Sequence, residues 1–362
     1  MRVNVQRGLK GVIAAETRIA EVDGSNGRLI YRGYEIRDIA TTYSFEEIAH
    51  LLWFDELPSD PELEKFKSTF APYRNLTQTM EKVLSVLPED MDMMSVLRTV
   101  ISSSGDQSMT WKPTVEDAMK LTAVIPTIIA YRKRILEGKD LIAPCLKYSH
   151  VENYLYMLHG SPASPEHIRA LETYMILTME HGMNASTFSA RVTASTESDL
   201  VSAVTSAIGT MKGPLHGGAP SEVIVLLNEL SEVENKKMHL REKILSGEKL
   251  MGFGHRVYKT HDPRSIALKE TLSGLVGKDR WLDLALEVEN AAIDVLEELK
   301  PGRGLYTNVE FYAAAIMKAI NMDSSLFTPT FTASRMVGWT AHVLEQAEDN
   351  VIYRPLSRYV GK

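Results

Sequence analysis

The chain has 362 residues, is 44% hydrophobic and 24% charged, and carries a formal net charge of −7 at pH 7. That length exceeds what one hydrophobic core ordinarily serves, so a large domain with a smaller one is expected, and the acidic balance argues against a nucleic-acid binder. The single cysteine, Cys145, leaves neither an intrachain disulfide framework nor a multi-cysteine metal site, and no stretch reaches the roughly 20 apolar residues of a membrane helix, so a cytoplasmic protein is expected.

Met1 to Lys10 lacks the apolar run of a signal peptide. The segments Glu16 to Val22 and Arg28 to Tyr34 have strand-like character and flank Asp23-Gly24-Ser25-Asn26-Gly27, which predicts a small hairpin. Beyond it the helical period dominates. Val124, Ile128, Tyr131 and Ile135 mark one face, Ile168, Leu171, Met175 and Met179 a second, and Leu200, Val204, Ile208 and Met211 a third. Pro126 inside the first pattern predicts a kinked or split helix. The run Arg132-Lys133-Arg134 ends that pattern and reads as a solvated helix end, where cations complement the dipole. Ser164-Pro165 reads as a helix cap and first residue, Lys212-Gly213-Pro214 as a stop, Asp262-Pro263-Arg264 as another start, and Asn308 as the cap of a helix through Phe311 to Ile320. The fold class is therefore mainly α.

Three histidines sit at helix ends or in glycine-flanked connections, where a ligand can approach backbone and side chain closely: His181, His216 and His255. Taken singly, each reads as an exposed or satisfied polar residue; two of them in Gly-rich connections weaken that bland reading. A zinc site fits poorly, because the histidines lie more than thirty positions apart with no HExxH-type pair. Gly252-Phe253-Gly254 lacks the third glycine and the preceding strand of a dinucleotide fingerprint. Arg264, Arg335 and Arg354 suit ordinary surface salt bridges one at a time, yet together they are the planar bidentate donors that a small dicarboxylate needs. Glu310, second after the Asn308 cap, either complements the helix dipole or serves as a base.

Read together, Gly213-Pro214-Leu215-His216-Gly217-Gly218-Ala219, Gly252-Phe253-Gly254-His255-Arg256-Val257-Tyr258-Lys259 with Asp262-Pro263-Arg264, and Ser334-Arg335-Met336-Val337-Gly338-Trp339 closely resemble the citrate synthase family, in its shorter bacterial and archaeal form, from about Gly8 to Arg354. The resemblance implies a two-domain helical fold with a large domain of residues 1–218 and 322–362, a small domain of residues 219–321 closing over the active site, and a homodimer with shared sites. It implies condensation of acetyl-CoA with oxaloacetate and hydrolysis of citryl-CoA to citrate and CoA, without metal or cofactor. By the family's pattern His216 would stabilise the enol at the thioester oxygen, His255 would polarise the oxaloacetate carbonyl and Glu310 would remove the α proton. His181, Asn184, Arg264 and Arg335 would bind oxaloacetate, Arg354 would reach in from the partner, and Arg256 and Lys259 would meet CoA phosphates. The family's usual base is aspartate, whereas this chain has Glu310, which predicts slow turnover, a backbone adjustment or a shifted acyl-CoA preference. Alternatives are a 2-methylcitrate synthase using propionyl-CoA and a non-catalytic oxaloacetate or acyl-CoA sensor.

Overall fold

The computed structural model describes residues 5–217, 221–255, 257–274 and 276–361. Strand β1 (Ala20–Asp23) pairs antiparallel with β2 (Arg28–Tyr31), Ala20 opposite Tyr31 and Asp23 opposite Arg28, and β3 (Tyr34–Glu35) adds to the far side of β2. The expected hairpin is present, with shorter strands and a third strand that the residue pattern did not announce. Asp23 shapes its turn, because one carboxylate oxygen accepts the N–H groups of Ser25 (2.9 Å) and Asn26 (3.0 Å).

Apart from one isolated bridge, the remaining regular structure among the described residues is helical. Ser44 with Glu47, Thr114 with Asp117 and Ser149 with Glu152 form capping boxes, each satisfying two backbone donors that a helix start leaves open. The expected starts at Pro165, Pro263 and Val309 are found with Ser164, Asp262 and Asn308 as caps, and the helix before Gly213 ends at Met211.

One expectation is narrowed to one of its alternatives and another requires correction. The helix Val115–Leu136 runs through Pro126 as one element rather than two. Pro126 is buried there among Ile125, Ile128 and Ile129, and that packing offsets the roughly 3 kcal/mol that an interior proline costs. Nor is Arg132-Lys133-Arg134 a solvated end: Arg132 and Arg134 are buried, and their guanidinium groups donate to the carbonyls of Leu87 and Pro88 and of Asp140 and Leu158. These cations bind chain segments that leave carbonyls unpaired, so their long side chains turn inward. Lys133 alone behaves as a partly exposed charge, paired with Asp323 (2.9 Å) and Glu137 (3.1 Å).

The helix Phe327–Glu348 is the centre of the molecule. It packs against Val115–Leu136, Pro165–Thr178, Ala185–Ala194 and Leu200–Met211, and nearly all its residues from Phe327 to Val343 are buried. A helix apolar on one stripe alone would not survive there, and the polar residues it does carry are spent on neighbours. Thr340 Oγ1 accepts the indole N–H of Trp53 (2.9 Å), and Arg335 donates from Nε to the Thr178 carbonyl (2.7 Å). Gly338 lets this helix touch the segment that carries His181: a Cβ there would lie 2.5 Å from Glu180 Oε2. No helix among the described residues is long and apolar enough to cross a membrane.

Candidate active site

His181 lies in the short connection between Pro165–Thr178 and Ala185–Ala194. Tyr31 fixes that connection from below, donating its hydroxyl proton to the Glu180 carbonyl (2.7 Å) while accepting the Glu180 N–H (3.0 Å). His181 Nε2 lies 3.0 Å from the hydroxyl of Tyr258, whose ring stacks on His255 at a centroid distance of 4.8 Å. Burial, with the nearby charges of Arg264 and Arg335, holds the His181 pKa well below its ordinary value, so its imidazole is neutral at physiological pH.

The tautomer of His255 follows from its neighbours. Its Nδ1 accepts the backbone N–H groups of Val257 (3.1 Å) and Tyr258 (3.0 Å), so the proton of the neutral ring resides on Nε2. Burial and the Arg264 charge push its pKa down to about 4. Arg264 Nη2 lies 3.2 Å from that Nε2. Both atoms are donors, so neither satisfies the other, and a carbonyl or carboxylate oxygen beside them would suit both.

Asp262 organises the charges here. It caps its own helix, receives Arg264 Nε (3.0 Å) and Nη2 (2.9 Å), and accepts the Val309 N–H (3.2 Å) at the start of the helix that carries Glu310. Burial alone would raise its pKa, but the Arg264 guanidinium overrides that and keeps the carboxylate ionised. A bridge between Phe253 and Thr307, with Gly254 N–H donating to the Tyr306 carbonyl (2.7 Å) and Asn308 Nδ2 to the Gly254 carbonyl (2.9 Å), ties the His255 segment to the same helix start. Half-buried Glu310 therefore begins a helix braced from two sides. Burial raises its pKa to about 7 although Arg264 pulls the other way, which makes it a stronger base than an exposed glutamate once ionised.

His216 lies beyond the end of Leu200–Met211, its Nε2 2.6 Å from Ser186 Oγ. Burial and the Arg335 charge lower its pKa to about 4. Trp339 Nε1 donates to the same Oγ (3.0 Å), and Asn184 Oδ1, which caps Ala185–Ala194 by accepting the Thr187 N–H (3.1 Å), lies 2.8 Å from it. Ser186 has one proton and two competing acceptors. Given to Asn184, it leaves the His216 proton on Nε2; given to His216, it frees Nδ1–H to donate elsewhere. Buried Arg335 uses Nε for the Thr178 carbonyl, and its terminal nitrogens, like Arg264 Nη1, make no hydrogen bond among the described residues.

His181, His255, Arg264 and Arg335 thus act on one another, as do His216 with Arg335 and Glu310 with Arg264. Arg264 and Arg335 are buried, which corrects the reading of each as a surface ion pair. Asn184 reaches the group through Ser186. Arg354 does not join it: exposed, it lines a cleft of about 790 Å³ with Thr17, Arg18 and Glu345, a cleft that none of the other candidates lines. Lys259 is exposed, although its charge is felt at His255, and Arg256 lies outside the described residues. Among the described residues no group of three or more His, Cys, Asp or Glu is placed to hold a metal ion. Tyr31, Ser186, Tyr258, Asp262 and Trp339 are not among the site residues expected from sequence. Tyr258, Asp262 and Trp339 stand inside the quoted motifs, Asp262 also as the cap two positions before Arg264, whereas Tyr31 and Ser186 carry no such signal.

A family model described as "Citrate synthase, C-terminal domain" matches residues 8–356. Citrate synthase 2 of Bacillus subtilis is 40% identical over 98% of this chain and 95% of its own length. The 2-methylcitrate synthase of Mycobacterium tuberculosis is 40% identical over 99% of this chain and 91% of its own. Among solved structures, citrate synthase of Pyrobaculum aerophilum superposes with a TM-score of 0.91 at 34% identity, covering 99% of this chain and 93% of that one. The ternary complex of the Thermoplasma acidophilum citrate synthase with carboxymethyl coenzyme A and oxaloacetate superposes with a TM-score of 0.87 at 30% identity, covering 99% and 97%.

Proposed function

The chain belongs to the citrate synthase family, and from that premise we propose that it condenses acetyl-CoA with oxaloacetate and hydrolyses citryl-CoA to citrate and CoA. The observation that carries the residue assignment is the placing of two donors, His255 Nε2–H and Arg264 Nη2, within 3.2 Å of each other on a framework shared with the Glu310 helix start. A keto oxygen beside them would be polarised by two donors. The free guanidinium ends of Arg264 and Arg335, with His181, suit the two carboxylates of oxaloacetate.

Glu310, ionised above about pH 7, would take the α proton of the thioester. That proton is too weakly acidic for a carboxylate to remove unaided, so the developing oxyanion needs a donor. His216 supplies it when Ser186 donates its hydrogen bond to Nε2, leaving the ring's own proton on Nδ1 for the thioester oxygen. The enolate carbon then bonds to the keto carbon. The new alkoxide is stabilised by His255 Nε2–H and Arg264 and takes up a proton from solvent, while Glu310 returns the α proton to solvent. Water cleaves the citryl thioester, its oxygen going to the acyl carbon and a proton to the departing CoA thiolate. Lys259 and Arg256 remain candidates for the CoA phosphates.

His181, His216 and Arg335 lie on residues 1–218 and 322–362, and His255, Arg264 and Glu310 on residues 219–321, which supports a large domain over which a small one closes. Residues 218 and 219, at that boundary, lie outside the described residues. Closure after oxaloacetate binding would assemble base and donor only when the acceptor is present, sparing acyl-CoA from hydrolysis. Arg354 stands apart from its own chain's site, which supports a homodimer in which it serves the partner's. The lone cysteine is consistent with the cytoplasm.

A second reading, 2-methylcitrate synthase using propionyl-CoA, is favoured by the mycobacterial relative of equal identity. Steady-state kinetics with both thioesters, with product identification, decide between them. A larger kcat/KM for acetyl-CoA with citrate as product is expected; a larger value for propionyl-CoA reverses the assignment, and neither product defeats both. The gap will be no more than about two hundredfold, since one methylene is worth about 1 to 3 kcal/mol.

A further inference from the structure

The β1–β2 hairpin lies outside the catalytic residues, yet it touches the backbone around both substrate histidines. Toward His181, Tyr31 clamps the amide and carbonyl of Glu180, and Val22 Cγ2 lies only 3.0 Å from where a Cβ on Gly182 would stand. Toward His255, the Gly24 carbonyl accepts the Lys259 N–H at 2.8 Å. A Cβ on Gly24 would overlap the Val257 carbonyl, lying 2.9 Å from its carbon and 3.1 Å from Val257 Cγ1. A Cβ on Gly27 would lie 2.7 Å from Thr260 Cγ2 and 2.8 Å from the His261 carbonyl oxygen. Val257 and Tyr258 are the residues whose N–H groups hold His255 Nδ1, so whatever moves Val257 unseats that imidazole.

We propose that the Asp23–Gly27 turn is a positioning element for oxaloacetate: Gly24 and Gly27 seat the backbone that orients His255, while Tyr31 and Val22 seat the backbone that presents His181. The two histidines are then held to one another by a third piece of chain, before either meets the substrate. Gly24 lies outside the left-handed region, so its glycine is required by contact rather than by its own φ. Gly33, in the same sheet, is the converse, with φ +88° and nothing within 4 Å of a Cβ. The pair separates the docking contact from general damage to the hairpin.

The proposal rests on reading His181 and His255 as oxaloacetate ligands, and the test keeps the two apart. Oxaloacetate affinity is measured by calorimetry without thioester on the full-length parent, Gly24→Ala, Gly33→Ala and His255→Ala, alongside kcat/KM and thermal midpoints. Gly24→Ala is expected to raise Kd about tenfold, the loss of one well-formed hydrogen bond. Its kcat/KM for oxaloacetate should fall by on the order of a hundredfold, as for a catalytic group displaced by about 1 Å. Gly33→Ala should lower the thermal midpoint with Kd within about twofold of the parent, because its strain is local. Equal weakening by both glycine variants, or none by Gly24→Ala, overturns the proposal. Unchanged affinity in His255→Ala overturns instead the reading on which it rests. If Gly24→Ala does not fold, Asp23→Ala decides: loosening the turn without adding an atom should raise Kd in the same direction, and an unchanged Kd overturns the proposal.

Discussion

At the scale of the residue, Glu310 and His255 show how position sets the protonation of ordinary side chains. His255 Nδ1 accepts two backbone N–H groups, so its neutral ring carries the proton on Nε2, beside the Arg264 guanidinium. Glu310 begins a regular helix capped by Asn308. Its pKa, raised by burial to about 7 from 4.5, has two consequences. Catalysis requiring the ionised form should make kcat/KM for acetyl-CoA rise with pH through about 7. Stability runs the other way. Between pH 4.5 and about 7 the folded protein keeps a proton that the unfolded chain has lost, so this group's contribution falls as pH rises across that window. Glu310→Gln removes the linkage, and its unfolding free energy relative to the parent should increase from pH 4.5 to 7.5 in denaturant titrations. A difference that is flat or falls with pH would mean that Glu310 is not held neutral by burial. His181, His216, His255 and the arginines were legible as candidates because glycines and helix ends surround them. Ser186, Tyr258 and Trp339 were not, since their partners lie 30, 77 and 153 positions away in sequence.

At the scale of the element, caps and glycines were readable and the direction of buried cations was not. Ser164, Asp262 and Asn308 announce helix starts through a local rule that the structure obeys. Arg132 and Arg134 obey none, because periodicity cannot say which unpaired carbonyls another segment will bring. The contact between Phe327–Glu348 and the His181 connection belongs to this scale as well. Gly338 stands where a methyl group would press on Met179 and Glu180. Glu180 Oε1 accepts the His342 Nε2–H at 3.1 Å in a fully buried pair that continues to Arg191, which donates to His342 Nδ1. Gly338→Ala should therefore cost about 1 to 3 kcal/mol by overpacking. It should also weaken oxaloacetate binding, because Arg335 and His181 ride on the two elements forced apart. Stability within about 0.5 kcal/mol of the parent, together with unchanged affinity, would show that the helices have slack there.

At the scale of the molecule, the mainly helical class was legible from period alone, whereas the pairing of distant segments was not. The His255 segment is fastened to Thr307–Asn308 on one side and to the β1–β2 turn on the other, contacts spanning most of the chain. The site therefore depends on assembly of the whole fold, and by our proposal on a second subunit that supplies Arg354. Mixing Arg354→Ala with His255→Ala chains under confirmed subunit exchange should restore activity, since some sites then hold both intact residues. No recovery would place Arg354 outside the shared site. The central claim, that this chain couples Glu310 to oxaloacetate-dependent condensation, is tested most directly by CoA-thiol release from acetyl-CoA with and without oxaloacetate, comparing the parent with Glu310→Gln. Release that requires oxaloacetate and falls by at least about a hundredfold in the variant is predicted. Folded parent protein that binds oxaloacetate yet releases no thiol from acetyl-CoA or propionyl-CoA, or a variant as fast as the parent, would contradict it.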